Sequence, residues 1–397
     1  MTISALTMPL EGMTILDATQ VMAGPFCTLL LADMGAEVIK IEKPDGDDSR
    51  RIGPPFIEGE SAAFLGINRN KKSVVLDLQS STGKAAFKRL AAQVDVVAEN
   101  FRPGTMQRLG LGPEDLRNGH PELIYVSVSG FGQTGPYSTR PGYDLIAQGM
   151  SGMMSVTGYP DADPIKVSIP ICDLSAGMFA AYGVLSAYIH RLKTGQGQVV
   201  ETSLLESAIA LTVWESAELW GAGKTPKAKG SAHRMVAPYQ ALTTSDGYVN
   251  FAIGNQKIWE RFCKAIALDE LIEDSRFSSN SNRVQHYQEL ATELERSTIT
   301  KTSSEWLTLC EEIGVPAGPI YDMSQVYKDP QVLEREMIQQ LEHPIAGLIN
   351  HIGLPVKMSL TPGQIRMPAP FLGQHTSQIL TRFGFTTDDI SAILSII

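Results

Sequence analysis

The first half of the chain alternates short apolar runs with stretches whose apolar residues recur every three or four positions. Residues 13–17 and 36–41 read as strands on either side of a helical pattern at 26–34. A third strand is expected at 74–77, followed by helical spacing over 81–92, and two more strands at 94–98 and 123–128. These runs are Val/Ile-rich and nearly unbroken, as in strands buried on both faces. The order predicts an α/β fold with a parallel sheet covered by helices. Ligands of such sheets sit beyond the carboxyl ends of the strands. The loops to inspect are therefore 18–25, 42–51, 99–104 and 129–143.

From Leu174 a long helical pattern runs to about Lys193, where Thr194-Gly-Gln-Gly closes it, and 198–201 reads as a further strand. Residues 204–220 are mostly apolar and predict one buried helix. The small, basic stretch 221–231 is the clearest composition break and reads as a linker. A strand at 247–253 and several helices follow to about Gly314, and the Pro-rich stretch 356–370 suggests an extended segment returning over the body. Asp173 stands where the β-prone run 166–172 gives way to the long helix. Such a carboxylate can cap the helix, worth about 1 kcal/mol, or be the reactive group of a site. The cap and the helix dipole would both hold it ionised, so composition leaves the two roles open.

Composition narrows the chemistry. The 397 residues carry a net charge of −10, with 43% hydrophobic and 19% charged residues, a soluble globular profile that disfavours nucleic acid as a partner. The cysteines, Cys27, Cys172, Cys263 and Cys310, form no CxxC pair, and no two histidines have HxxxH spacing, so no metal site is expected. With no apolar run of membrane length and no leader pattern, a cytoplasmic protein without membrane attachment is expected. No GxGxxG follows the first strand, and there is no GxxxxGK[ST] or GxSxG motif. Instead Ala23-Gly-Pro25 opens the first helix, whose free amides would suit an anion or would simply begin a helix. Basic residues gather between Lys40 and Arg108; among them Arg102 and Arg108 have the fork that fits phosphate oxygens.

The stretches Leu16-Asp-Ala-Thr-Gln-Val-Met-Ala-Gly-Pro25, Ala32-Asp-Met-Gly-Ala-Glu-Val-Ile-Lys-Ile-Glu-Lys-Pro44 and Asn70-Lys-Lys-Ser-Val-Val-Leu-Asp-Leu78 carry a resemblance. So do Glu99-Asn-Phe-Arg-Pro-Gly104, Gly130-Phe-Gly-Gln-Thr-Gly-Pro136, Gly142-Tyr-Asp144 and Thr194-Gly-Gln-Gly-Gln198. In that order, over essentially the whole chain, they resemble the class III CoA-transferases, the family of formyl-CoA and carnitine CoA-transferases. The resemblance implies a Rossmann-like large domain with a parallel sheet, a smaller α+β domain, and an interlocked homodimer. The large domain would comprise 1–200 and a return segment 326–397, with a linker helix at 201–225 and the small domain at 226–325. Asp173 would be the catalytic residue. Coenzyme A would meet Gln20, Val21, Met22 and Ala23, Lys43, the stretch Leu76, Asp77, Leu78 and Gln79, then Asn100, Phe101, Arg102 and Arg108. Tyr143 and Asp144 would lie beside the acyl group.

The family's reaction exchanges CoA between an acyl-CoA and a free carboxylic acid through an aspartyl-CoA intermediate, with no ATP or metal. Relatives with a stretch like His233-Arg-Met-Val-Ala-Pro-Tyr-Gln240 often handle dicarboxylates such as succinate, so His233 and Arg234 are candidates for the acceptor's distal carboxylate, or ordinary loop residues. Two alternatives share the fold. Formyl-CoA:oxalate transferases have a glycine-rich loop where this chain has Gly230-Ser-Ala-His233. The α-methylacyl-CoA racemases have a histidine where this chain has Tyr143, and a phenol with an ordinary pKa of about 10 is a poor base for an α-proton.

Overall fold

The computed structural model describes residues 8–395. They divide into two compact units: a large one holding residues up to 151, 167–211 and 330 onward, and a small one of 152–166 and 212–329.

Six strands form the sheet of the large unit: β1 (Thr14–Asp17), β2 (Glu37–Glu42), β3 (Lys71–Val75), β4 (Val96–Glu99), β5 (Ile124–Ser129) and β6 (Val199–Ser203). Their spatial order is β3-β2-β1-β4-β5-β6, and all neighbours run parallel. Every residue of β4 and β5 is buried, as expected with helices on both faces. The chain winds outward in opposite directions from the β1–β4 junction, so the loops leaving those two strands diverge. That divergence opens a crevice at their carboxyl ends.

Helix α1 (Ala23–Asp33) follows β1, and α2 (Ser81–Ala91) follows β3 with Ala86, Phe87 and Leu90 turned into the core. The short helices α3 (Thr105–Leu109) and α4 (Asp144–Met150) follow β4 and β5. Helix α5 (Ile171–Thr194) packs along α1, and Gly177 lets the two come close: a Cβ there would stand 2.7 Å from the carbonyl oxygen of Ala23. By length and composition α5 resembles a membrane span, but 44% of its apolar window is buried in the large unit.

The expected linker helix at 201–225 does not exist as one element. Residues 199–203 are the edge strand β6, and Ser203 caps α6 (Leu204–Ala210), which also belongs to the large unit. After a break at Leu211, α7 (Val213–Ala222) begins the main segment of the small unit with no buried residue and Trp220 81% exposed. Within the apolar pattern at 204–220, Leu204 and Ala208 are buried in the large unit, whereas Val213, Leu219 and Trp220 are exposed.

The small unit has three antiparallel strands, β7 (Tyr239–Thr243), β8 (Tyr248–Ala252) and β9 (Ala317–Pro319), with β8 in the centre. Helices α8 (Gln256–Ala265), α9 (Tyr287–Thr298) and α10 (Ser303–Glu312) enclose Phe251, Trp259, Phe262 and Trp306. The chain then re-enters the large unit through a hairpin, β10 (Ile338–His343) with β11 (Gly347–Ile352). The segment after it is laced to the sheet: Gln364 N–H donates to Asp33 O, Asn70 N–H to Met367 O, and His375 N–H to Ser73 O. Helices α11 (Thr376–Arg382) and α12 (Thr387–Leu394) close the core, with Ile379, Leu380 and Ile393 against Phe87 and Leu90.

Candidate active site

A cavity opens at the β1–β4 crevice of the large unit. Its wall comes from Gln20–Ala23 after β1, Asn100–Pro103 after β4, Val128–Gly130 at the end of β5, Arg140–Tyr143, and Asp173 in the first turn of α5. Of the residues expected to contact CoA, Gln20, Val21, Met22, Ala23, Asn100, Phe101 and Arg102 are thus brought together with Tyr143 and Asp173.

The loop after β1 is held from beneath. Asp17 accepts hydrogen bonds from Thr19 N–H and from the Thr28 hydroxyl, and lies 3.2 Å from Lys71 Nζ. Lys71 also donates to Pro25 O and Asn68 Oδ1. Burial pushes the Asp17 carboxyl up, but Lys71 and Lys40 outweigh it and hold it below the usual carboxylate range. Asn100 grips Gln20 from the other side, accepting from its N–H at 2.7 Å and donating to its carbonyl at 2.8 Å. Glu99, just before Asn100, is pushed up to about 7 by burial while accepting from the Ser127 hydroxyl and Phe101 N–H.

Asp173 does not cap its helix, and the run before it is not a strand. Residues 163–170 are irregular, the N-cap is Pro170 without a side-chain bond, and Asp173 is third in the helix. The capping carboxylate is Asp144, at the start of α4. Its Oδ1 accepts from Cys172 N–H at 2.8 Å and from Asp173 N–H at 3.4 Å, and its Oδ2 accepts from Gln148 Nε2 at 2.6 Å. Buried Gln148 also brackets Val167, accepting from its N–H and donating to its carbonyl. Asp144 thus fastens α4 to α5 and places a second carboxylate beside Asp173. Burial first, and then the charge of Asp144, push Asp173 up to about 7. The expectation of an aspartate held fully ionised by its cap is therefore corrected: the cap is supplied by a neighbour whose charge acts against ionisation.

Gly130 and Gly142 bring the ends of the intervening loop together, since a Cβ at Gly142 would lie 2.7 Å from the Cα of Gly130. That contact sets the start of α4, and with it Tyr143, which is 74% exposed.

The other expected contacts lie outside the cavity wall. Lys43 is an exposed partner of Asp48, itself on the wall, at 2.7 Å. Leu76 is fully buried in the sheet core and Leu78 packs against that core, which leaves Asp77 and Gln79 as the exposed part of their turn, with Gln79 N–H on Asp77 Oδ1. Arg108 on α3 donates to Thr105 Oγ1 and faces solvent. In the small unit, the Arg234 guanidinium is already engaged by Glu215 at 2.9 Å, Glu218 at 3.0 Å and Lys227 O. The His233 ring packs against Tyr239 and Trp214 while its Nδ1 accepts from Met235 N–H. Two residues of the site were not anticipated. Arg140 is on the wall, stacked over the Tyr137 ring, and Gln148 supports Asp144 from within. The run Arg140-Pro-Gly-Tyr-Asp144 was the available signal for the first; nothing local marks the second. Among the described residues no three His, Cys, Asp or Glu side chains gather as metal ligands.

Comparison with known proteins gives a consistent answer. The model of "CoA-transferase family III" matches residues 10–376. A succinyl-CoA:glutarate CoA-transferase from Mus musculus is 42% identical over 373 residues, covering 94% of this chain and 86% of the relative. A succinate–glutarate CoA-transferase from Agrobacterium fabrum is 39% identical, covering 94% of this chain and 95% of the relative. The crystal structure of a CAIB/BAIF family protein from Brucella suis superposes with a TM-score of 0.84 at 36% identity, covering 95% of this chain and all of that one. A match of this extent, with a cavity at the switch point of the sheet, establishes that this chain belongs to CoA-transferase family III.

Proposed function

We propose that the enzyme moves CoA from succinyl-CoA, or a related dicarboxylyl-CoA, to a free dicarboxylic acid, with glutarate the first acceptor to try, through a covalent intermediate on Asp173. One observation carries this reading: a half-buried carboxylate, raised to about 7 and so more basic than an ordinary aspartate, on the wall of the cavity. The names of the relatives supply the substrate class.

An Asp173 oxygen attacks the thioester carbonyl, the C–S bond breaks, and CoA leaves as the thiolate from a mixed anhydride. The thiolate then attacks the aspartyl carbonyl and expels the donor acid, leaving an aspartyl thioester. The incoming carboxylate attacks that carbonyl, releasing the thiolate again, and the thiolate takes the new acyl group and frees Asp173. One thioester replaces another, so no outside energy source is required. The first amides of α1, at Met22 and Ala23, have no acceptor within the helix and line the cavity, where they can stabilise the oxyanions. Arg102 and Arg140 supply positive charge for the CoA phosphates and the incoming acid. Lys43, Asp77, Gln79 and Arg108 are left to the distal, nucleotide end of CoA. An acceptor carboxylate on Arg234 would have to displace Glu215 or Glu218.

The interlocked homodimer belongs to the same proposal. Met178, Tyr182, Leu185, Ile189 and Leu192 form an exposed apolar stripe along α5, and Trp214 and Trp220 stand exposed on α7. A cytoplasmic location suits an acyl-CoA substrate and four unpaired, buried cysteines.

The test is incubation with succinyl-CoA and a panel of mono- and dicarboxylic acids, with the CoA esters identified by mass. A new ester is expected from the wild type and none from Asp173→Ala. Persistent exchange in that variant would remove the covalent mechanism. Scrambling of an α-methylacyl-CoA centre in deuterated water, without exchange, would instead identify a racemase.

A further inference from the structure

Val21 sits in the left-handed region of backbone space, at φ +66°, where a β-branched residue remains only if its surroundings hold it. The hold can be traced bond by bond. Thr19 N–H is taken by Asp17, Thr19 O by Lys40 Nζ at 2.9 Å, both backbone groups of Gln20 by Asn100, and Val21 N–H by Asp47 Oδ1 at 3.2 Å. Two of these ties come from a single ion pair. Lys40 Nζ and Asp47 Oδ2 are 2.7 Å apart, and both side chains are completely buried. The lysine grips the carbonyl two residues before Val21, and the aspartate grips the amide of Val21 itself. Asp47 is fixed in turn by Ser49, whose N–H and hydroxyl both donate to Oδ1, and its own N–H donates to Glu42. Neither member of the pair is on the cavity wall.

A buried ion pair is a poor source of stability, because desolvation consumes most of its attraction. It is well suited to fixing a geometry that the chain would otherwise abandon. The residues it restrains lead directly into Met22 and Ala23, the first amides of α1. We propose that the Lys40–Asp47 pair is a positioning device: it keeps Val21 left-handed and thereby sets the α1 amides in the cavity that holds Asp173. The proposal rests on the CoA-transferase reading of that cavity. Neither residue touches substrate, and both act through the backbone of the loop.

The experiment compares Asp47→Asn, Lys40→Met, and each combined with Val21→Gly, in the full-length enzyme. Succinyl-CoA-dependent exchange is the rate measured, and the fraction of sites binding free CoA, by calorimetric titration, counts the folded enzyme. Relaxation of the loop by the order of an ångström should lower kcat per CoA-binding site by about 100-fold in either single variant. Glycine takes positive φ without strain, so adding Val21→Gly should return at least about tenfold of that loss, because less grip is needed. A purely structural pair would instead lower the fraction of competent sites at unchanged kcat per site, and Val21→Gly would restore nothing; either result overturns the proposal. Should both charge variants fail to fold, Val21→Gly alone decides. It should melt no lower than the wild type if Val21 is held under strain, and a lower melting temperature refutes that. Wild-type enzyme that exchanges CoA between no pair of acids removes the underlying reading, while the melting comparison still judges the loop.

Discussion

The loop leaving β1 and the stretch entering α5 meet at one cavity but are secured by opposite means. The first rests on charges sealed from solvent: Asp17 with Lys71, and Asp47 with Lys40, all four side chains wholly buried. Burial raises the Asp47 carboxyl, but Lys40 overrides it and brings it down to about 2, so its ionisation does not vary under ordinary conditions. The second stretch is mostly exposed and depends on two side chains, Asp144 and Gln148. There the carboxylate that fastens the helix also opposes ionisation of Asp173. The two carboxylates beneath the first loop therefore stay ionised under ordinary conditions, while the other side couples its shape to a proton.

The contrast can be broken most forcefully from beneath the first loop. Lys71→Met strands Asp17 in the core without its nearest cation and should destabilise the fold by about 3–5 kcal/mol in equilibrium denaturation. Next comes Gly142→Ala. The new methyl group meets backbone at Gly130 that cannot swing aside, so Tyr143 and Asp144 shift, and exchange should fall by about 100-fold with the far-UV circular dichroism retained.

Asp144→Asn tests the proton coupling. Under the proposed mechanism the carboxylate form of Asp173 attacks, so wild-type kcat/KM should rise as the pH passes upward through about 7. Asparagine keeps an acceptor for Cys172 N–H but removes the opposing charge, so the rising limb should move to lower pH; an unmoved limb would separate the two aspartates. Stability has the opposite sign. Between its ordinary value of 3.8 and about 7, folded Asp173 keeps a proton that the unfolded chain has lost, so its contribution declines as the pH increases. The smallest effect is expected at Arg234→Ala. With the guanidinium already engaged by Glu215 and Glu218, the KM for glutarate should change by less than about threefold, a loss no larger than a rim contact.

The sheet was legible because its strands are continuous apolar runs, and the switch-point crevice follows from their order. Strand β3 begins earlier than its pattern suggests, at Lys71 instead of Val74, since a lysine neutralised inside the core looks like a surface residue in the sequence. Asp173 was legible as a candidate, but its electrostatics were not: the decisive neighbour, Asp144, is 29 residues away and bonds across two helices. The first loop was legible as a candidate ligand loop, whereas its support was hidden because Lys40 and Asp47 pair through space. The single helix read over 204–220 failed because periodicity records which residues are apolar and says nothing of what covers them.

The lacing of the segment after residue 353 onto the end of α1 and the start of β3 bears on the order in which the protein takes shape during synthesis. Residues 212–329 contain nearly all of the small unit and can condense as soon as they leave the ribosome. The large unit cannot. The face of α2 that receives Ile379, Leu380 and Ile393 stays unroofed until α11 and α12 emerge, with the β1 loop and Asp173 already made. The cavity is thus encoded early but secured late, and a nascent chain halted after the small unit would present the apolar face of α2 to its surroundings.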